Sequence, residues 1–146
     1  MPDRGPGDDL GLLDTSTLLL LGRISDPADL PHRPVISAVT LAELSVGPLV
    51  RTDERERANR QAHLQLAEGS FDPLPFDRAA ARAFGGVAAS LRRAGRKPAA
   101  RTFDAMIAAT AVANGLPVFT CNPDDFRGID DLTVVPVPVP PDPGSA

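Results

Sequence analysis

Acidic residues recur in this chain where a short apolar run ends or a helix of small residues begins. The group comprises Asp14, Glu43, Asp104, Asp124 and Asp125. Most have an ordinary structural explanation, since Asp14 can cap the helix that follows it and Asp104 can complement the positive end of its own helix. Gathered at one site, however, the carboxylates would repel one another unless a cation neutralised them. Mg²⁺ and Mn²⁺ favour such oxygen ligands, and they support hydrolysis of phosphodiesters.

Glu43 has no ordinary explanation of this kind. It lies in the segment TLAELSVG, which is apolar on most sides, and no Lys or Arg stands three or four residues away. A carboxylate that loses water without gaining a partner either takes up a proton or finds a cation. Glu43 therefore favours the metal interpretation of the whole acidic group.

Short strands that alternate with helices must position these acids. The apolar runs predict strands at LGLL, around Val35–Ser37, at LPVFT and at LTVVPV. The helices predicted between them include one from Thr40 to Gly47, one from Thr52 to Glu68, one capped by Asp77 and one capped by Thr102. Such alternation predicts an α/β fold with a mostly parallel central sheet and helices on both faces. Sites in these folds lie at the carboxyl ends of the strands, where the acids fall.

Length and composition are those of one globular domain. The chain has 146 residues, 42% of them hydrophobic and 23% charged. No run of about 18 apolar residues occurs, so we expect no membrane span. The single cysteine, Cys121, excludes an internal disulfide and favours a reducing, cytoplasmic location. We expect residues 1–8 to be a flexible leader, residues 9–137 to be the folded domain, and residues 138–146 to be a Pro-rich disordered tail.

Four segments, in order, resemble the PIN-domain ribonucleases, in particular the VapC toxins of bacterial toxin–antitoxin pairs. They are LLDTSTLL, ISAVTLAELSVG, LPFDRAAARAFG and RTFDAMIAATAVANGLPVFTCNPDDF. The resemblance implies a single PIN-like domain and an endoribonuclease dependent on Mg²⁺, with Mn²⁺ as a substitute. It further implies cleavage of structured RNA, such as a transfer or ribosomal RNA, which inhibits translation and growth. The implied partners are a second copy in a homodimer and a cognate VapB-like antitoxin.

The resemblance also implies roles for individual acids. Asp14 and Asp104 resemble direct metal ligands. Glu43 and Asp125 resemble the remaining members of the catalytic group, which reach the metal directly or through water. Whether one or two metal ions bind is left open.

The fourth acid is the least certain, because this chain departs from the family pattern there. Many PIN domains have an aspartate at the position of Asn122, which is a neutral ligand. Asp125 is the preferred source of the missing charge, and Asp124 is the alternative. The hydroxyls of Ser16 and Thr120, together with Asn122, are expected to support the acids or to contact phosphate.

Positive charge is concentrated on two segments, although the formal net charge is −4. Because the chain has no Trp, no Tyr and only 6 Phe, we expect RNA to be held by shape and phosphate contacts rather than by stacking. The candidate contacts are Arg92, Arg93, Arg96 and Lys97. A solvated surface without function is the more common explanation of such a charge run.

Two other functions compete with this interpretation of the sequence. A catalytically silent PIN-like module that binds RNA or protein is the main alternative, because of the departure at Asn122. A phosphohydrolase or phosphotransfer domain of another doubly wound fold is disfavoured, since Ser16 stands where a second acid would be expected and the turn CNPDDF has no lysine. A nucleotide-binding phosphate loop is excluded because no G-x-x-x-x-G-K-[ST] motif occurs.

Overall fold

Four short parallel strands form the centre of the described chain. They are β1 (Leu10–Leu13), β2 (Arg33–Val35), β3 (Val118–Thr120) and β4 (Val134–Pro136). Their order across the sheet is β2-β1-β3-β4. Pro34 and Pro136 both lie in edge strands, where the missing N–H of proline interrupts no ladder between two neighbours. The predicted α/β class with a parallel sheet is confirmed.

The computed structural model describes residues 9–142. The predicted leader, residues 1–8, lies outside the described residues, and so do residues 143–146 of the predicted tail. Residues 138–142 have no regular secondary structure. No helix of the described chain combines the length and the apolar character that crossing a membrane requires.

Five α-helices of the described chain connect and cover the strands. They are α1 (Thr15–Leu20), α2 (Ala38–Val50), α3 (Glu54–Ser70), α4 (Arg78–Arg93) and α5 (Thr102–Ala113). Short 3₁₀ turns lie between them at Leu21–Arg23, Pro27–Asp29, Pro98–Arg101 and Pro123–Phe126. Asp14, Asp53 and Asp77 each accept a backbone N–H at a helix start, which satisfies a donor that the helix itself cannot pair.

Successive residues of the central strands point to opposite faces and build two separate cores. On one face Leu12 and Val118 pack with apolar residues of α4 and α5. On the other face Leu13 and Phe119 pack with apolar residues of α1, α2 and α3. Full burial of one such leucine stabilises the fold by about 1.5–3 kcal/mol. The prediction of helices on both faces is therefore confirmed, and the strands are held firmly enough to position a site at their ends.

Two predicted boundaries near α2 are wrong. The helix does not end at Gly47 but continues to Val50. Leu44 and Pro48 lie one turn apart and both are buried, so the packing of this face outweighs the hydrogen bond that proline cannot make. The second strand ends before Ser37 because the hydroxyl of Ser37 caps α2, accepting the N–H of Val39.

The predicted cap of α5 is also wrong. Thr102 is the first residue of the helix rather than its cap, and the 3₁₀ turn Pro98–Arg101 runs directly into it. Its hydroxyl donates backwards to the carbonyl of Ala99 at 3.0 Å. Arg101 precedes the helix and makes no side-chain cap hydrogen bond.

Candidate active site

The carboxyl ends of β1 and β3 lie side by side, and the chain leaves them in opposite directions. From β1 it crosses to β2, whereas from β3 it crosses to β4 on the other side. Open α/β sheets bind ligands at such a reversal. Asp14 follows β1 and Thr120 ends β3, and the Thr120 hydroxyl donates to Asp14 Oδ2 at 2.8 Å. The first acid is therefore fixed at the reversal point of the sheet.

Asp14 caps α1, and two hydroxyl groups hold its other oxygen. Its side chain is buried, with a relative exposure of 3%. Oδ1 accepts the N–H of Thr17 at 3.2 Å, which caps α1. Oδ2 accepts the hydroxyls of Ser16 at 3.1 Å and Thr120 at 2.8 Å. Ser16 and Thr120 thus lie where the sequence placed them, in contact with the first acid.

Glu43 projects from α2 toward the start of α1. The hydroxyl of Thr15 donates to Glu43 Oε1 at 2.7 Å. Because that donation uses the single hydroxyl proton of Thr15, the 3.0 Å bond between Thr15 and Thr40 must be donated by Thr40. Burial, and to a smaller extent the charge of Asp14, raise the pKa of Glu43, although the Thr15 bond acts in the opposite direction.

Sequence reasoning missed the pair of threonines that holds Glu43. One signal was present, since Thr40 and Glu43 are three residues apart and therefore neighbours on one helix face. The contribution of Thr15 depends on how α1 and α2 pack, which no local pattern reveals.

Asp104 lies in the first turn of α5, and the charges of the other acids affect its pKa. Its pKa is raised from an ordinary value of 3.8 to about 6. Burial is the largest cause, followed by the charges of Asp125, Glu43 and Asp14, while Arg101 acts in the opposite direction. The four acids singled out in the sequence therefore lie close enough to repel one another, although they come from four separate elements.

Asp125, rather than Asp124, belongs to this group. Asp125 is partly buried, and its Oδ1 lies 3.7 Å from Nη1 of Arg101. Asp124 is exposed and pairs instead with Arg96, at 3.8 Å. Only Asp125 of the two contributes to the raised pKa of Asp104. The geometry thus favours the preferred candidate for the fourth acid.

Asn122 is connected to the acid group through its backbone rather than its side chain. Its N–H donates to the Thr120 hydroxyl at 2.9 Å, and that hydroxyl donates onward to Asp14. Its exposed side chain makes no hydrogen bond to any described residue. Asn122 therefore orients Thr120, which in turn orients the first acid.

Arg96 is not a surface residue, contrary to expectation. Its side chain is 6% exposed, and its Nη1 donates to the carbonyls of Asp124 and Arg127 at 2.7 Å each. These bonds offset part of the cost of burying the guanidinium, while its Nη2 makes no hydrogen bond and lies 3.8 Å from Oδ2 of Asp124. Arg96 is thus unavailable to RNA, and it anchors the turn that carries Asp125.

The other predicted RNA contacts differ in their surroundings. Nη2 of Arg93 donates to Asp130 Oδ2 at 2.6 Å, an exposed ion pair that engages this side chain. Arg92 and Lys97 are exposed. Arg101, which the sequence analysis did not include, lies in the wall of a cleft beside the acids.

That cleft is open to solvent and has a volume of about 420 Å³. Its wall is formed by Glu43, Ala99, Ala100, Arg101, Thr102, Phe103 and Asp104. A larger cavity of about 670 Å³ lies between α2 and α3, lined by Pro48, Leu49, Glu54, Arg57, Ala58 and Gln61. Chemistry decides between the two, because only the smaller one contains members of the converging acid group.

Comparison with known proteins agrees with this geometry. Residues 12–132 match the family described as PIN domain. The chain belongs to the PIN domain family. The prediction of this family from four sequence segments is confirmed.

This PIN domain is similar in sequence to two proteins from Mycobacterium tuberculosis. It is 38% identical to Ribonuclease VapC5 over 129 residues, which cover 87% of this chain and 93% of the relative. It is 36% identical to Ribonuclease VapC8 over 102 residues, which cover 70% of this chain and 90% of the relative. The predicted enzyme class, an endoribonuclease of the VapC group, is the one that these names support.

A solved structure agrees in fold as well. VapBC-5 from Mycobacterium tuberculosis, described as a member of the VapBC family of toxin–antitoxin systems, matches this PIN domain with a TM-score of 0.74 and 36% identity. The match covers 88% of this chain and 99% of the VapBC-5 chain.

The donor set of the PIN domain fits a hard divalent cation. Within residues 9–142, no three acidic, histidine or cysteine side chains are arranged to hold a metal ion by themselves. Mg²⁺ does not require such a cage, because it retains several waters and commonly binds through one or two carboxylates. The donors are all oxygens, and both burial and the neighbouring acids raise the pKa of Asp104, which are costs that a bound cation would offset. Asp14 and Asp104 therefore suit Mg²⁺ or Mn²⁺ better than softer metals.

Proposed function

We propose that this protein is a Mg²⁺-dependent endoribonuclease toxin that hydrolyses phosphodiester bonds in structured RNA, such as a transfer or ribosomal RNA. The observation that supports the proposal is the convergence of Asp14, Glu43 and Asp125 on Asp104 at the reversal point of the sheet, close enough for their charges to add to the effect of burial on its pKa. Its relatives named Ribonuclease VapC support RNA as the substrate.

The proposed roles of the acids follow from their surroundings. Asp14 and Asp104 would hold Mg²⁺, or Mn²⁺ in its place, directly, and Glu43 and Asp125 would do so mainly through water. The bound ion supplies an activated water and neutralises charge that develops on the phosphate. Thr120 fixes Asp14 Oδ2, so the first ligand keeps one orientation while substrate binds.

Glu43 is the best placed acid to move a proton. Thr15 occupies its Oε1, and no described residue donates a hydrogen bond to Oε2. Because burial raises the pKa of Glu43, its carboxylate is a stronger base than an exposed glutamate. We assign Glu43 Oε2 the task of taking the proton from the attacking water.

Positive charge along the path to the cleft would hold the RNA backbone. Arg101 lies in the cleft wall itself, and exposed Lys97 precedes the 3₁₀ turn that leads to it. Arg92, also exposed, lies in the last turn of α4. Arg92 and Lys97 are kept from the RNA contacts predicted from the sequence, and Arg101 takes the place of Arg96.

A VapB-like antitoxin is the proposed protein partner, since VapBC-5 is described as a toxin–antitoxin system. Apolar side chains at the end of α2 offer surface that a protein would cover: Leu49 is 83% exposed, and Val46 and Val50 are exposed as well. Assembly as a homodimer, a location in the cytoplasm and inhibition of growth complete the proposal, and each remains a prediction.

The test compares cleavage of total cellular RNA by the purified protein and its Asp104→Asn variant, with Mg²⁺ or Mn²⁺ and then with chelator, and maps the cut ends. Two further variants, Asp125→Asn and Asp124→Asn, test which of these neighbouring aspartates is the fourth acid. We expect discrete cuts by the unaltered protein and by Asp124→Asn. We expect none after chelation, and none with the variants of Asp104 or Asp125.

Other outcomes have definite meanings. Cuts that persist after chelation and in Asp104→Asn would come from a contaminant and would remove support for the site. No cleavage, combined with stabilisation by Mg²⁺ that requires Asp104, would favour the alternative, a catalytically silent module that binds RNA or protein.

A further inference from the structure

One aromatic side chain stands apart from the others of its kind. The chain has 6 Phe and no Trp or Tyr. Phe119 and Phe126 are buried, and Phe71, Phe76 and Phe84 are partly buried. Phe103 alone of the 6 is exposed, with 48% of its surface open to water. A ligand that covered this ring would remove apolar surface from water, which is favourable.

The position of Phe103 is what gives this exposure meaning. It lies in the first turn of α5, directly before Asp104, and its ring contributes to the wall of the same cleft. Arg101 and Glu43 line that cleft as well. A single cleft therefore offers an acid group, one guanidinium and one aromatic face.

The rest of the cleft wall argues against a purely apolar partner. Ala99 and Ala100 are small, and Thr102 is polar. The ring therefore belongs to no continuous apolar surface within the cleft. A flat ring beside a cation and a set of acids matches the parts of a nucleotide, because bases stack on aromatic side chains while phosphates seek guanidinium groups.

We propose that Phe103 is a stacking platform for an unpaired nucleobase of the RNA strand whose phosphate lies at the acids. This inference rests on the proposed ribonuclease function and deepens it, since it requires the strand to be unstacked next to the cut. It also replaces the expectation that this chain, poor in aromatic residues, holds RNA by shape and phosphate contacts alone.

A fluorescent substitution tests stacking without any turnover. Because the chain has no Trp, Phe103→Trp places a unique fluorophore in the cleft, and Glu43→Gln in the same protein prevents cleavage while keeping the proposed metal ligands Asp14 and Asp104. The protein is titrated, in the presence of Mg²⁺, with an RNA of ten adenosines and with an abasic ribose–phosphate strand of the same length. Stacking predicts strong quenching by the adenosine strand and little by the abasic one. Equal quenching by both strands, or by neither, overturns the proposal.

Cleavage kinetics supply a second readout with a matched control. Phe103→Ala removes the ring, and Phe103→Leu keeps an apolar side chain of similar bulk without a π face. On an RNA that spans the mapped cut, both variants should raise KM roughly 5- to 150-fold, as loss of one base stack implies. Replacing the nucleotide beside the cut with an abasic one should bring the unaltered protein to the same KM.

Each remaining outcome is also decisive. An unchanged KM in both variants overturns the proposal, and so does a change of oligomeric mass in Phe103→Ala without a change in KM, which would assign the ring to a contact between copies. If the unaltered protein cuts no RNA, the ribonuclease function fails, while the fluorescence titration still decides whether Phe103 stacks on a base.

Discussion

Replacement of Asp104 by asparagine should make the metal-free protein more stable at neutral pH, although the same change should abolish its activity. In the folded state the pKa of Asp104 is raised from 3.8 to about 6. Between these two values the folded protein binds more protons than the unfolded chain, so stability falls as pH rises. Above about pH 6 the whole penalty of the ionised carboxylate is present, and asparagine, which carries no charge, escapes it.

The size of the effect follows from the same values. A difference between 3.8 and about 6 corresponds to about 3 kcal/mol, at 1.36 kcal/mol for each pKa unit. Asp104 keeps part of its surface in water, which screens the repulsion, so we expect a gain of about 1–2 kcal/mol in the free energy of unfolding. For a domain of this size, that gain corresponds to a rise in Tm of roughly 3–8 °C.

The assay is urea unfolding of the unaltered protein and Asp104→Asn in chelator, at pH 7.5 and pH 4. The variant should be more stable at pH 7.5, and the difference should shrink at pH 4, where the carboxylate of the unaltered protein is largely protonated. Addition of Mg²⁺ at 100 times its Kd should then stabilise the unaltered protein by about 2.7 kcal/mol and the variant by much less. Asp72→Asn, which removes an exposed carboxylate far from the site in sequence, controls for the change in net charge.

The reasoning would be refuted if Asp104→Asn were no more stable than the unaltered protein at pH 7.5 in chelator. An equal gain in Asp72→Asn would refute it as well, because a general change of net charge would then explain the result. A gain of the same size at pH 4 would show that charge repulsion is not the cause.

Three further predictions concern the frame of the site. Asp14→Asn should fold well but lose cleavage, whereas Asp14→Ala should also lose about 1 kcal/mol or more in urea unfolding because the cap of α1 disappears; equal stabilities would contradict this. Arg96→Met should cost about 2–4 kcal/mol, since two charge-assisted hydrogen bonds to the carbonyls of Asp124 and Arg127 are lost, while Arg93→Met, on an exposed ion pair, should cost less than about 1 kcal/mol; similar losses would count against the anchor role. Gly128→Ala should lower Tm, because Gly128 has a φ of +90° and an added Cβ would lie 2.7 Å from Cβ of Ala94; an unchanged Tm would disprove it.

Local sequence patterns were sufficient to predict the strands of the sheet and the acids that follow them. The run LGLL is apolar and short, and Asp14 follows it directly, so strand, turn and acid could be predicted from a few neighbouring residues. The same holds for α4, whose cap Asp77 and apolar stripe are both local features. Parallel strands then bring their carboxyl ends to one edge, which is why acids far apart in the chain were expected to meet.

Contacts between segments that are distant in the chain could not be predicted from local patterns. The bonds of Arg96 join residues 28 and 31 positions apart in the chain, and its basic surroundings in the sequence resemble ordinary solvated surface. Thr15 likewise reaches Glu43 across 28 positions. The start of α5 was mistaken because an upstream 3₁₀ turn continues into the helix, which leaves no place for a cap at Thr102.

The hydrogen bond between Asp14 and Thr120 joins groups that are 106 positions apart, and it has a consequence for the timing of synthesis. The chain grows from its N-terminus, so β1 exists long before β3, its neighbour in the sheet, has been made. Asp125 is made later still, in the last quarter of the chain. No nascent chain shorter than this can assemble the four acids. The proposed ribonuclease site therefore cannot form on the ribosome before residue 125 has been made.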